Sequence, residues 1–186
     1  MRKGILCLFL AAGPAVSVIA QKGSILLTST ISAFSERRQS ESGDNKTTAV
    51  SLRVGTGYAI ADRWTLGINA GYNRYEDANL QKQFSLGPFV RYTHPLSTLL
   101  SFFGQLDADY CTQKNTGNPQ QQELRLSLQP AVELALARQF ALNFSVGSLN
   151  YQTSRVDGKD ERYHRFGFNL GSGASFGLTK RFGGAK

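Results

Sequence analysis

Val50-Ser51-Leu52-Arg53-Val54-Gly55-Thr56-Gly57-Tyr58-Ala59-Ile60 alternates without a break between large or β-branched side chains and small, polar or charged ones. A period of two is the spacing at which successive side chains leave opposite faces of a strand. The stretch therefore reads as a strand with two unlike surfaces, one greasy and one small or charged.

The same pattern repeats downstream. Trp64, Leu66, Ile68, Ala70 and Tyr72 interleave with Thr65, Gly67, Asn69, Gly71 and Asn73, and Phe84, Leu86, Pro88, Val90 and Tyr92 interleave with Ser85, Gly87, Phe89, Arg91 and Thr93. Leu100, Phe102, Leu106 and Tyr110 face Ser101, Gln105, Asp107 and Asp109, and Leu124 to Leu136 carry the same rhythm against Arg125, Ser127, Gln129 and Glu133. Phe140, Leu142, Phe144 and Val146 form a further run, and Phe166, Phe168, Leu170, Phe176, Leu178 and Phe182 form the last. A first strand near Gly23 to Phe34 has the faintest alternation. No 3.6-residue periodicity persists after Gln21.

The connections alternate as well. Ala61-Asp62-Arg63, Thr93 to Thr98 and Ala137-Arg138-Gln139 are short, whereas Ser35 to Lys46, Arg74 to Gln83, Thr112 to Gln122 and Tyr151 to Arg162 read as long polar loops. Short turns at one end and long loops at the other, with an even strand count, predict an all-β chain forming an eight-stranded antiparallel up-and-down transmembrane β-barrel. The termini then fall in the periplasm and the four long connections outside the cell.

The composition of the faces decides which one meets lipid. The polar face carries Gly55, Gly57, Gly67, Gly71, Gly87, Gly147, Gly167, Gly171 and Gly173, small residues that suit the narrow lumen of eight strands. The apolar face carries aromatic residues at the strand ends: Tyr58, Trp64, Tyr92, Phe102, Phe140 and Phe182 at one rim, Tyr72, Phe84, Tyr110 and Phe166 at the other. These are expected to form two interfacial girdles. Charges in a narrow lumen lose hydration and must pair, so Arg53, Arg91 and Arg125 are expected to form an ion-pair ladder with Asp107, Asp109, Glu123 and Glu133. If Tyr110 lies opposite Leu124, Asp109 lies opposite Arg125, and the two are expected to form a coupled pair across the hairpin.

Two further features bound the reading. Met1-Arg2-Lys3 followed by the uncharged apolar stretch Ile5 to Ile19 and small residues at Val18-Ile19-Ala20 predicts a cleaved signal peptide over residues 1–20, leaving residues 21–186 as one barrel domain. Cleavage removes Arg2, Lys3 and Cys7, leaving 19 basic against 13 acidic residues and a single cysteine, Cys111, which cannot form an internal disulfide. The basic residues are scattered singly and form no nucleic-acid motif, so no nucleic-acid partner is expected.

Leu86-Gly87-Pro88-Phe89-Val90-Arg91-Tyr92 and the closing residues Phe176, Leu178, Lys180 and Phe182, taken with the strand pattern, resemble the small outer-membrane β-barrel family common in Bacteroidetes. The resemblance covers nearly the whole mature chain. It implies a porin-like barrel in the outer membrane of a Gram-negative bacterium and a last strand whose terminal aromatic is read by the barrel-assembly machinery during insertion. Here Gly183-Gly184-Ala185-Lys186 follow Phe182. Barrels of this size include structural or adhesive proteins, lipid-modifying enzymes and narrow conductors.

The residues favour the first of these classes. An esterase or acyltransferase needs a histidine base beside a nucleophile, yet His94 precedes Pro95 in a turn, and His164 has lipid-facing parity and is followed by Arg165-Phe166. Gly171-Ser172-Gly173-Ala174-Ser175 lacks the Lys-Ser/Thr ending of a phosphate loop and opens no helix. No catalytic, cofactor or metal site is expected. The expected function is a monomeric barrel with a filled lumen and a structural or surface-interaction role. Its partners would be outer-membrane lipids and lipopolysaccharide, met by Arg37, Arg38, Lys46, Lys82, Lys114, Arg155 and Lys159. The alternatives are a narrow pore and a secreted soluble ligand-binding barrel.

Overall fold

The computed structural model describes residues 22–40, 43–76, 80–115, 121–137, 139–156 and 162–183 of the chain. The predicted signal peptide lies outside the described residues. Eight strands follow in chain order: β1 (Ile25–Ser40), β2 (Gly43–Ala61), β3 (Trp64–Glu76), β4 (Leu80–Pro95), β5 (Leu100–Asn115), β6 (Gln121–Ala135), β7 (Phe140–Val156) and β8 (Arg162–Phe182). Each pairs antiparallel with the next, and β1 pairs with β8, closing the sheet into a barrel. The closing seam runs from Ile25 opposite Phe182 to Ile31 opposite Phe176, a shorter ladder than any within a hairpin.

Alternation in sequence becomes inside and outside in space. Leu52, Val54, Tyr58, Leu66, Ile68, Leu86, Leu106, Leu126 and Leu178 are exposed on the outer wall, while Thr65, Asn69, Ser85, Arg91, Gln105, Asp107 and Thr179 are buried in the lumen. An interior of polar side chains with an apolar exterior inverts the arrangement of a water-soluble barrel, so the soluble ligand-binding alternative, which requires an apolar interior, is not the one observed.

The long polar connections differ from expectation. Most of Ser35 to Lys46, Arg74 to Gln83, Thr112 to Gln122 and Tyr151 to Arg162 is not loop but paired strand, with β1 and β2 in register out to Ser40 opposite Gly43 and β3 and β4 out to Glu76 opposite Leu80. The ladder is held by backbone hydrogen bonds, which need no apolar side chain. Where both faces of a hairpin meet polar surroundings the alternation fades, but the pairing continues.

Two irregularities change the phase of the pattern. Between Leu128/Ala131 and Leu149/Ser145 the β6–β7 register slips by one residue. The lower part of β7 turns Ala141, Asn143 and Ser145 inward, whereas further along Leu149 and Tyr151 are exposed. Between β7 and β8 the register slips again, from Ser145 opposite Ser175 to Gly147 opposite Leu170. The glycine-rich stretch 171–174 is thus extra backbone at a bulge inside β8, a device that bends a strand and sharpens its twist.

Glycine is required where strands approach closely. A Cβ on Gly87 would lie 2.0 Å from the Ala108 carbonyl oxygen, and one on Gly67 would lie 2.2 Å from the Thr56 carbonyl and 2.4 Å from the Phe89 ring. At Gly104, on the outer wall of β5, a Cβ meets nothing within 4 Å. Gly87→Ala is expected to destabilise the folded barrel by about 1–3 kcal/mol, the usual scale of overpacking, with Gly104→Ala neutral or slightly stabilising. Denaturant unfolding in detergent, followed by tryptophan fluorescence, measures both.

Candidate functional site: the lumen and the external rim

All seven predicted lumen charges have inward parity; Arg53, Arg91, Asp107, Asp109 and Glu133 connect through one polar network, and Arg125 and Glu123 belong to a second cluster. Arg53 on β2 donates to Asp109 at 2.6 Å and lies 3.6 Å from Asp107. Asp107 also accepts from Asn69 at 2.5 Å and from Gln105 at 2.8 Å. Gln105 in turn accepts two hydrogen bonds from Arg91, at 2.8 and 2.6 Å. Nearer the short turns, Glu133, 1% exposed, accepts from Arg181 at 2.5 Å and lies 3.9 Å from Arg91. Towards the other end Arg125 pairs with Glu123 at 2.7 Å, and Gln83 accepts from Asn73 at 2.9 Å.

The register places Tyr110 opposite Leu124 and Asp109 opposite Arg125. Their ion pairs nonetheless go elsewhere: Asp109 reaches across the lumen to Arg53, and Arg125 pairs with Glu123 two residues along its own strand. In a lumen this narrow a long arginine side chain meets acids on non-neighbouring strands as readily as on the adjacent one. Two lumen residues were not anticipated. Arg181 has the odd-numbered, inward parity of Gly177 and Thr179, so its place was readable from the last strand. Phe103 breaks the polar face of β5 as Phe89 breaks that of β4, and the Arg91 guanidinium lies 4.1 Å from its ring centroid.

Arg53, Arg91, Arg125 and Arg181 thus face Asp107, Asp109, Glu123 and Glu133, a neutral set as desolvation demands. They line the lumen. A cavity of about 30 Å³ remains among Arg53, Arg91, Gln105 and Asn143, room for little more than a water or two.

The predicted aromatic residues line the outer wall. Tyr58, Trp64, Tyr92, Phe102 and Phe140 are exposed toward the short-turn end, with Phe182 half-buried beside them, and Tyr72, Phe84, Tyr110 and Phe166 are exposed toward the other. Trp64 and Tyr92 pack as a tilted pair 5.0 Å apart, and the Lys180 ammonium sits 4.9 Å from the Phe140 ring and 4.6 Å from the Phe182 ring. Such a cation over aromatic faces suits the boundary between lipid and water.

Beyond the second aromatic rim, cations gather on the outer wall. Arg74 stands opposite Lys82, Lys82 opposite Lys114, and Arg155 opposite Arg162. Arg37 lies opposite Lys46 on β1 and β2, and Lys159 is outside the described residues. A shallow groove of about 190 Å³ between Tyr110, Leu124, Thr153, Arg155 and Arg162 opens here. Just below it the Tyr151 and Thr153 hydroxyls lie 3.0 and 3.2 Å from the same His164 ring nitrogen. Among the described residues no carboxylate bonds to that ring. Cys111 is buried and inward-facing.

No protein-family model matches the chain, and no curated protein matches it in sequence. Among solved structures the barrel is similar to Neisserial surface protein A, at 18% identity and a TM-score of 0.49 over 87% of this chain and 98% of that one. It is also similar to the outer membrane protein OprG from Pseudomonas aeruginosa, at 13% identity and a TM-score of 0.49 over 89% and 98% of the two chains. Ail, the attachment invasion locus protein of Yersinia pestis, is 14% identical with a TM-score of 0.48 over 87% and 99%.

Double-mutant cycles test the lumen wiring. Arg53→Gln with Asp109→Asn is expected to show a coupling of about 1–3 kcal/mol, and Asp109→Asn with Arg125→Gln at most about half as much. Glu133→Gln removes the carboxylate that both Arg91 and Arg181 face, and is expected to cost about 3–5 kcal/mol of unfolding free energy.

Proposed function

We propose that the mature chain, residues 21–186, is a monomeric barrel of the bacterial outer membrane with a side-chain-filled lumen and a structural or surface-interaction role carried by its external hairpins. One observation carries the reading: the outer wall is a continuous apolar surface, with Ile31 63%, Ile68 57% and Phe166 68% exposed, wrapped around a buried polar interior. Only hydrocarbon satisfies such a wall, and only a closed ladder satisfies the backbone inside hydrocarbon. Closure leaves no sheet edge along the sealed part of the barrel, which favours a monomer.

The paired extensions beyond Tyr72, Phe84 and Tyr110 would stand clear of the membrane as stiff hairpins, a better platform for contacts than slack loops. Their cations suit the phosphates of outer-membrane lipids and lipopolysaccharide. Insertion would proceed through the barrel-assembly machinery, with the aromatic Phe182 near the end of β8 as the recognised feature.

Refolding residues 21–186 in detergent tests the proposal. An unboiled sample is expected to migrate differently from a boiled one on a denaturing gel, with a β-type circular dichroism spectrum and precipitation on detergent removal. Planar bilayers holding the refolded protein are expected to show no discrete conductance steps. Solubility without detergent would overturn the membrane assignment, and steady single-channel currents would overturn the filled lumen.

A further inference from the structure

Three strands carry a layered pattern on their outward faces at the external end. In the outermost layer Arg74, Lys82 and Lys114 stand side by side across β3, β4 and β5. One step nearer the barrel's middle Tyr72 is opposite Phe84, and Phe84 opposite Thr112. One step further Ala70 is opposite Leu86. At this third layer the small Ala70 side chain leaves a shallow groove of about 280 Å³ in the outer wall, lined chiefly by Leu27, Val54, Ile68, Ala70 and Leu86.

Charge and shape together describe an amphiphile. Like charges directly opposite one another on neighbouring strands repel, and Lys82 and Lys114 are such a pair. Glu76 is ion-paired with Arg74, so it neutralises that guanidinium and leaves the two lysines as a net charge of two. A phosphate monoester carries about −1.5 to −2 near neutral pH and three acceptor oxygens, whereas the phosphodiester of a glycerophospholipid carries a single charge. The four residues from Arg74 to Ala70 span roughly 13 Å at about 3.3 Å per residue, within reach of a fatty acyl chain hanging below such a headgroup.

We infer that the cationic face of β3–β5, together with the groove that β1–β4 line beside it, is a specific site for an acylated glycolipid bearing a phosphate monoester, of the lipid A type. Lys82 and Lys114 share the phosphate, Tyr72 and Phe84 flank the boundary, and one acyl chain lies in the groove at Ala70. The inference rests on the proposed membrane placement, with the extended hairpins facing the outer leaflet. Bound lipid turns the opposed lysines from a repulsive pair into two charge-assisted hydrogen-bond donors on one anion.

Native mass spectrometry of the detergent-refolded protein, titrated with diphosphorylated lipid A, tests the site. The unaltered protein is expected to retain one lipid A and to discriminate against both dephosphorylated lipid A and phosphatidylglycerol. Lys82→Gln with Lys114→Gln is expected to lower retention by about tenfold or more, the scale for two lysines facing one anionic headgroup, and Ala70→Phe, which fills the groove from the lipid side, is expected to lower it as well. Equal retention of the dephosphorylated lipid, or no loss in the lysine variant, would overturn the inference, and equal retention of phosphatidylglycerol would overturn the choice of lipid. The gel-mobility shift of the same samples separates the two readings: with the shift intact and no selective retention, only the lipid site fails, whereas its absence removes the membrane placement beneath it.

Discussion

Backbone hydrogen bonding is the constraint on which this structure turns. A strand placed in hydrocarbon must find a partner for every N–H and C=O, because each unpaired group there costs several kcal/mol. Antiparallel hairpins satisfy seven of the eight strand contacts locally, and the β1–β8 seam from Ile25–Phe182 to Ile31–Phe176 supplies the eighth. Everything inside follows from that closure. Eight strands enclose a narrow lumen, so glycines are needed where walls approach, as at Gly67 and Gly87, and charges can enter only as balanced sets.

The lumen and the outer wall are two faces of the same strands, yet they solve opposite problems. Outside, large apolar side chains need no hydrogen-bonding partner. Inside, each charge depends on named partners: Glu133 serves Arg91 and Arg181, while Asp107 is held by Asn69, Gln105 and Arg53. Phe89 and Phe103 belong to this interior logic, giving the buried Arg91 guanidinium aromatic faces to lie against.

At the end away from the short turns the wall of β3, β4 and β5 changes character within two to four residues. Tyr72 and Phe84 give way to Arg74 and Lys82, and Tyr110 to Thr112 and then Lys114. Aromatic rings tolerate the boundary between lipid and water, and cations belong just beyond it, where anionic headgroups lie. The paired hairpin extensions hold these cations in fixed register, which a disordered loop could not do.

Much of this was legible in the chain itself. Alternation at i and i+2 is a local property, so Val50 to Ile60 announces its two faces before any partner is known, and the inward parity of Arg53, Arg91, Asp107 and Glu133 follows from counting along each strand. The β5–β6 register that sets Asp109 opposite Arg125 is the one among the sequence's conditional alternatives in which Tyr110 faces Leu124. What only the tertiary structure decided are the relations across the lumen and between distant rungs. Arg53 finds Asp109 at a separation of 56 residues, a contact set by how the sheet staggers as it closes and by no spacing in the sequence. The bulge in β8, the change of phase along β7 and the extension of the hairpins past their apolar segments are of the same kind, because backbone pairing is blind to side-chain type and leaves no periodic trace in the residues it joins.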